Sequence, residues 1–254
     1  MKNILCIKEK KIGEGMPKIC VPVTGTTYEE IKEQAEKINN LDIDIIEWRV
    51  DFYEDYMNPG KVEKVLTMFS GMIKEKLLLF TFRSAKEGGE KEITPEAYFS
   101  LNESAAKTGK VDLIDMELFM TENIKEKTEN IHKTGTKVIM SNHDFAKTPT
   151  KKVIVERLVR MQEYGADIAK IAVMPKTSGD VLRLLEATNE MKEKHTETPV
   201  ITMSMSGLGK VSRICGEVFG SAVTFASAGQ ASAPGQLPVE DMRAALRLFV
   251  GEGE

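Results

Sequence analysis

Eight short apolar segments recur along this 254-residue chain, and polar or amphipathic segments separate them. The spacing is about thirty residues, the size of one β-strand followed by one α-helix. Strands that alternate with helices form parallel sheets, because each helix carries the chain back to the same edge. The pattern therefore predicts an α/β protein with a single (β/α)8 TIM barrel. The predicted strands are Ile19–Val23, Ile43–Val50, Leu77–Phe82, Val111–Leu118, Lys137–Ser141, Ile168–Met174, Val200–Met205 and Ala222–Ala226.

The segments between the strands carry apolar residues at helical spacing. No GxGxxG turn follows the first strand, so an open dinucleotide-binding sheet is disfavoured. No linker or shift in composition divides residues 1–254, which we interpret as one barrel domain. Residues 1–15 are expected to form a short hairpin that caps the bottom of the barrel. The predicted helices include Tyr28–Ile38, Val62–Ile73, Glu96–Lys107, Val153–Tyr164, Val181–Lys192 and Val239–Val250.

Composition and charge narrow the possible partners. The formal net charge is -4 with both signs interspersed, whereas binding to nucleic acid needs a basic patch. The chain contains three cysteines without CxxC spacing, which argues against disulfides and a zinc site. No apolar stretch is long enough to span a bilayer, and no signal-peptide core is found near Met1. We expect a soluble, cytoplasmic protein with no nucleic-acid, membrane or metal partner.

Lys170 lies in a predicted strand that is otherwise small and apolar. Strand side chains alternate between two faces, so Ile168, Lys170 and Ala172 share the face that we expect to line the barrel interior. Burial favours the neutral form of an amine, and the neutral amine is the nucleophile that attacks a ketone. Spacing alone does not separate this hypothesis from a structural ion pair with Glu47 or Glu117.

His143 follows the fifth predicted strand, where a barrel places its reactive groups. An imidazole there is suited to proton transfer near neutral pH, although a hydrogen-bonded rim histidine fits the same pattern. The other strand ends are also unusually polar. They carry Glu47, Arg49, Asp51, Arg83, Ser84, Glu87, Asp115, Glu117, Asn142, Asp144 and Ser204.

Arg49, Arg83 and Arg213 supply guanidinium groups that suit bidentate binding of a carboxylate. A pairing of Arg49 with Glu47, two residues away, is the alternative. Met203 and Met205 share a face and predict either core filling or an apolar wall against a ring. The small-residue loop at 231–236 follows the eighth strand and could be a lid or an ordinary loop.

Six motifs, in order along the chain, resemble type I 3-dehydroquinate dehydratase. The resemblance implies a homodimeric barrel of the shikimate pathway for aromatic amino acid biosynthesis, with no cofactor. It implies an imine at Lys170, proton transfer by His143 and assistance from Glu87. The motifs are Glu47–Asp51, Thr81–Ser84 with Glu87–Glu90, Ser141–Phe145, Lys170–Ala172, Met203–Ser206 and Ser232–Gln236. The implied contacts with the substrate, 3-dehydroquinate, are Glu47, Trp48, Arg49, Arg83, Met203, Met205, Arg213, Ser232 and Gln236.

Two other functions share some of these features. A Schiff-base aldolase on the same barrel would use the same lysine, but no glycine-rich phosphate loop follows the last strands. A non-catalytic protein that binds a small anionic sugar acid would need only the cations.

Overall fold

The computed structural model describes residues 4–73, 75–229 and 233–249. It opens with an antiparallel hairpin of β1 (Leu5–Ile7) and β2 (Lys10–Ile12). The parallel strands that follow are β3 (Lys18–Val23), β4 (Ile45–Arg49), β5 (Leu77–Thr81), β6 (Leu113–Glu117), β7 (Lys137–Asp144), β8 (Ile168–Val173), β9 (Val200–Ser204) and β10 (Val223–Ser227). A short β11 (Leu237–Pro238) pairs with β10.

Helices occupy most of the intervals between strands, and local sequence fixes several of their starts. Thr27 and Thr177 each form a capping box, in which the side chain accepts a backbone N–H three residues later. None of the helices in the described ranges is both long and apolar enough to cross a bilayer. The helices are α1 (Tyr28–Asn39), α2 (Pro59–Met72), α3 (Pro95–Lys107), α4 (Ile124–His132), α5 (Lys151–Glu163), α6 (Ser178–Lys194), α7 (Lys210–Ile214), α8 (Gly216–Phe219) and α9 (Val239–Arg247).

Each strand from β3 to β8 pairs in parallel with the next, and β10 pairs with β3. At the seam between β9 and β10, the N–H of Ala222 donates to the carbonyl of Val200 at 2.8 Å. The predicted α/β barrel with an N-terminal hairpin is confirmed. The largest shortfall among the predicted strands was at the end of β7, which continues to Asp144, so Asn142 and His143 lie within the strand.

Two apolar layers follow from the alternation of strand side chains. One lies between the sheet and the helices, and the other fills the lower barrel. Ile12 of the hairpin is fully buried in the inner layer, beside the first residues of several strands. The hairpin thus covers the end of the barrel where the strands begin.

An aspartate stands just before each of three strands and binds the start of the preceding strand. Asp44, Asp112 and Asp167 accept backbone N–H groups at 2.8–3.0 Å. Two hairpin lysines bind to two of these carboxylates: Lys8 pairs with Asp112 at 2.8 Å and Lys10 with Asp44 at 3.2 Å. The same side chains therefore set the strand ends and hold the hairpin.

Replacing Asp44 with Asn should lower the free energy of unfolding by about 1–3 kcal/mol, since its carboxylate bonds the Ile19 N–H, Lys10 and Arg243. Burial raises the pKa of Asp44, but these partners outweigh it and the pKa lies below its ordinary 3.8. Because the pKa of Asp44 is lower in the folded protein, its carboxylate stabilises the fold above pH 3.8. This contribution is lost as the pH falls through the pKa of the folded state. Urea unfolding at pH 7 and below pH 4 should show the difference shrinking. The exposed Asp42 provides the control: Asp42→Asn should change stability by less than about 0.5 kcal/mol.

Candidate active site

A cavity of about 190 Å³ opens where the strands of the barrel end. It brings together nearly all the site residues predicted from the sequence, although they are spread over most of the chain. Gly88, Phe145, Ala172, Phe225, Ala233 and Pro234 also line it. Ser232 lies outside the described residues. The predicted residues that line the cavity are Glu47, Arg49, Arg83, Glu87, His143, Lys170, Met203, Met205, Arg213 and Gln236.

The prediction that Trp48 contacts substrate is wrong. Its side chain is fully buried in the layer between sheet and helices, with its ring 5.5 Å from Phe80 and 5.9 Å from Phe69. The physical reason is strand alternation: Glu47 and Arg49 face the cavity, so the residue between them must face the helices.

Lys170 points into the barrel from β8 and is 3% exposed. Its Nζ lies 3.1 Å from an oxygen of Asp115, 3.9 Å from Glu47 and 4.5 Å from the centre of the Phe225 ring. The lysine is therefore in an ion pair and also lines the cavity, so the two hypotheses based on spacing are compatible. Glu47, one of the two expected partners, is in the ion pair, but the nearest anion is Asp115, and Glu117 binds other groups instead.

Arg83 forms ion pairs with both Glu117 and Asp115. Its guanidinium donates to Asp115 at 2.7 Å, to Glu117 at 2.9 Å and to the Ser141 hydroxyl at 3.0 Å. Burial raises the pKa of Asp115, but the charges of Arg83 and Lys170 outweigh it and hold the pKa well below its usual range. Asp115 is thus a permanent anion between two buried cations.

Glu87 and His143 form a second pair at the cavity. Glu87 Oε2 lies 2.9 Å from His143 Nδ1 and accepts the backbone N–H of the same residue at 2.9 Å. Burial raises the pKa of Glu87 to about 7, although Arg83 opposes this shift. Burial, followed by the charges of Arg83 and Lys170, lowers the pKa of His143 well below its usual value. A neutral imidazole can act as a base.

The three arginines differ in their capacity to bind an anion. Arg49 is held by Asp51 through two hydrogen bonds of 2.8 and 2.7 Å. Arg213, by contrast, pairs with no carboxylate among the residues that the structure describes. It donates to the Pro234 carbonyl at 3.1 Å, and its Nε has no partner in that part of the chain. Burial lowers the pKa of Arg213 to about 10, so it remains a cation at neutral pH.

Sequence reasoning noticed Asp115 and Asn142 but gave them no role. Leu113, Asp115 and Glu117 alternate on β6, so the interior Leu113 would have placed both acids in the barrel. Asn142 falls on the opposite face of β7 from His143, and its contact with Glu87 could not be read from alternation. Within the described residues, no cluster of three or more His, Cys, Asp or Glu side chains could hold a metal ion.

Comparison with known proteins places this geometry in a family. The model of the type I 3-dehydroquinase family matches residues 19–252. The chain belongs to the type I 3-dehydroquinase family. It is 54% identical to the 3-dehydroquinate dehydratase of Listeria monocytogenes serotype 4a over 248 residues, 97% of this chain and 98% of that protein. The 3-dehydroquinate dehydratase of Clostridium botulinum is 52% identical over 250 residues, 98% of each chain.

Solved structures agree with the family assignment. The type I 3-dehydroquinate dehydratase of Clostridium difficile with covalent modified comenic acid superposes with a TM-score of 0.95 and 52% identity, covering 98% of both chains. The enzyme of Enterococcus faecalis gives a TM-score of 0.91 and 42% identity, over 97% of this chain and 100% of that one. The family expected from the sequence motifs is confirmed.

The Asp115→Asn variant should lose roughly 3 kcal/mol of stability, because two buried cations then share one fewer anion. Lys170→Met in the same protein should restore part of that loss by removing one of those cations. Urea unfolding of wild type, both single variants and the double variant measures the coupling as a double-mutant cycle. Strictly additive changes in the four proteins would show that Asp115 and Lys170 do not stabilise each other.

Proposed function

We propose that this protein is a 3-dehydroquinate dehydratase that eliminates water from its substrate through an imine at Lys170. One arrangement carries the proposal: the Lys170 amine, the His143–Glu87 pair and the Arg213 guanidinium, which has no carboxylate partner among the described residues, line one cavity. A carboxylated, hydroxylated ring ketone needs these three kinds of group. The relatives named 3-dehydroquinate dehydratase support the choice of substrate.

The reaction begins when the Lys170 ammonium gives up a proton to solvent and the amine attacks the ketone carbon; loss of water from the adduct gives an iminium ion. The iminium withdraws electrons and acidifies the proton on the adjacent carbon. His143 removes that proton, and the resulting enamine expels the β-hydroxyl, which takes a proton from the His143 imidazolium and leaves as water. Hydrolysis of the product imine frees Lys170. Asp115 balances positive charge on the Lys170 nitrogen, since it lies 3.1 Å from it.

His143 is the base because its ring lines the cavity while Nδ1 is engaged by Glu87. That contact leaves Nε2 for the substrate. The ionised carboxylate of Glu87 stabilises the imidazolium formed during proton transfer, as an orienting acid does for a catalytic histidine. Because burial raises the pKa of Glu87 to about 7, activity should fall as pH drops below neutrality.

Arg213 binds the substrate carboxylate in this scheme. Glu47, Arg49 and Arg83 contact hydroxyl groups, while Met203 and Met205 form an apolar wall against the ring. Gln236, which lines the cavity, would hydrogen-bond the substrate; the predicted contact of Ser232 and the predicted lid fall on residues that include undescribed ones and stay predictions. The homodimer, the cytoplasmic location and the role in the shikimate pathway stay predictions from the family resemblance.

Borohydride added with 3-dehydroquinate should fix ligand mass on the peptide that contains Lys170, because hydride reduces an imine to a stable amine. His143→Ala should still trap ligand, yet lose about 100- to 10,000-fold in turnover, the usual contribution of acid–base catalysis. Peptide mass spectrometry and the absorbance of the conjugated enone product measure the two effects. Label on another lysine would refute the imine assignment. Binding without any enone would instead indicate a non-catalytic sugar-acid protein.

Replacing Arg213 with Met should raise KM roughly 10- to 100-fold, as expected for loss of a charge-assisted hydrogen-bonded pair. The KM of Arg213→Lys should lie between those of wild type and Arg213→Met, because an ammonium keeps the charge but cannot bind a carboxylate through two parallel hydrogen bonds. An analogue with a carboxamide in place of the carboxylate serves as the control ligand. The carboxamide analogue should bind wild type and Arg213→Met with nearly equal affinity. If Arg213→Met loses as much affinity for the analogue as for the substrate, Arg213 does not bind the carboxylate.

A further inference from the structure

A hydrogen-bonded chain crosses the barrel wall from the helix layer to the His143–Glu87 pair. Arg157 of α5 donates from Nη1 to Asn142 Oδ1 at 2.8 Å. Asn142 in turn donates from Nδ2 to Glu87 Oε1 at 2.9 Å. Asn142 is 5% exposed and faces the helices, because it alternates on β7 with His143.

The direction of these bonds is decided by chemistry. A guanidinium can only donate, so the atom of Asn142 that faces Arg157 must be the amide oxygen. The amide nitrogen is then forced to face Glu87 as a donor. The other oxygen of Glu87 accepts the backbone N–H of His143 at 2.9 Å, which is also an obligatory donor.

Both oxygens of Glu87 therefore accept from obligatory donors, which favours the ionised carboxylate and opposes the effect of burial on its pKa. The hydrogen between Glu87 and His143 Nδ1, which lie 2.9 Å apart, belongs on the imidazole. A neutral imidazole carries one ring proton, so placing it on Nδ1 leaves Nε2 free as an acceptor.

We infer that Arg157 and Asn142 are positioning residues, which hold Glu87 as an ionised acceptor and His143 in the tautomer that leaves Nε2 as the base. The inference rests on the proposed dehydratase function for its consequence in turnover, but the tautomer can be observed without it. Arg157 lies on the helix layer and is absent from the cavity lining, so it acts through Asn142 rather than on substrate.

Other charges also face the pair and remain in place when Arg157 is changed. Arg83 Nη1 lies 3.6 Å from Glu87, and Asp144 lies 4.0 Å from Arg157. The more distant charges that act on Glu87 or His143 are Arg49 of β4, Asp115 and Glu117 of β6, and Lys170 of β8. Because these charges are the same in wild type and in the Arg157 variants, a difference in the pKa of Glu87 between them reports the loss of Arg157.

The test is the pH profile of Arg157→Met, which keeps an unbranched apolar stem but no donor. Without the guanidinium, Asn142 can turn its oxygen toward Glu87, and the pKa of Glu87 should rise. A hydrogen bond to a charged group stabilises it by an amount that corresponds to about one pKa unit, so the acid limb of the kcat profile should move up by about one pH unit. Activity should fall about fivefold at pH 7 and recover at pH 9, with KM unchanged.

Three further variants separate positioning from simple structural support. Arg157→Lys retains a donor and should keep the limb close to that of wild type. Asn142→Asp places a second acid against Glu87, so its limb should move further than that of Arg157→Met. Arg160, exposed one turn later on α5, gives the matched control, and Arg160→Met should leave the profile unchanged.

Nitrogen-15 NMR of histidine-labelled resting enzyme reads the tautomer of His143 directly. Wild type should show the proton on Nδ1, and Arg157→Met should show a mixture of tautomers. The inference is overturned if folded Arg157→Met keeps both the wild-type limb and a single Nδ1 tautomer, or if it loses activity equally at every pH. A wild-type enzyme that produces no enone refutes the proposed function, and the NMR comparison still decides the positioning role.

Discussion

The ion pairs between Arg83 and two buried carboxylates organise the interior of this barrel. Removing three charged groups from water costs several kcal/mol for each, and a close, hydrogen-bonded arrangement is needed to offset that cost. Asp115 and Glu117 sit on one strand, while the Ser141 hydroxyl reaches the same guanidinium from the next strand. The group therefore ties β6 and β7 to the end of β5. Lys170 completes it, since Asp115 is its nearest anion.

That arrangement separates structural cations from a cation available to a ligand. Arg49 and Arg83 have carboxylate partners at hydrogen-bond distance, so their charges are largely neutralised within the protein. Arg213 contacts only a carbonyl oxygen and a thioether among the described residues, and burial makes its unbalanced charge unfavourable. An anionic ligand would therefore gain more by pairing with Arg213 than with Arg49 or Arg83. Among the described residues that line the cavity, Arg213 is thus a guanidinium without a carboxylate partner, whereas Arg49 and Arg83 are held in ion pairs.

The barrel wall divides residues that touch the cavity from those that act through others. Alternation along β7 sends His143 inward and Asn142 outward, yet both meet Glu87 because that residue lies beyond the strand end. Gly88 closes the short turn that carries Glu87, with a φ of 84°, and its backbone passes directly under the Phe145 ring. A Cβ at Gly88 would come into close contact with the Phe145 ring, and L side chains rarely adopt its φ, so glycine suits this turn best. Under the inference drawn above, proton transfer by His143 depends on Arg157 and Asn142 in the helix layer.

The sequence alone is enough to predict the fold class, because the thirty-residue alternation and the apolar strands leave few alternatives to a closed parallel sheet. It also determined the inward face of Lys170, since side-chain alternation is local to one strand. The same alternation on β4 turns Trp48 toward the helices and away from the cavity, although its position in the Glu47–Asp51 motif had suggested contact with substrate. Only the tertiary structure decided that Asp115, and not Glu117, pairs with Lys170. That choice depends on the register of neighbouring strands and the curvature of the closed barrel, which no local pattern encodes.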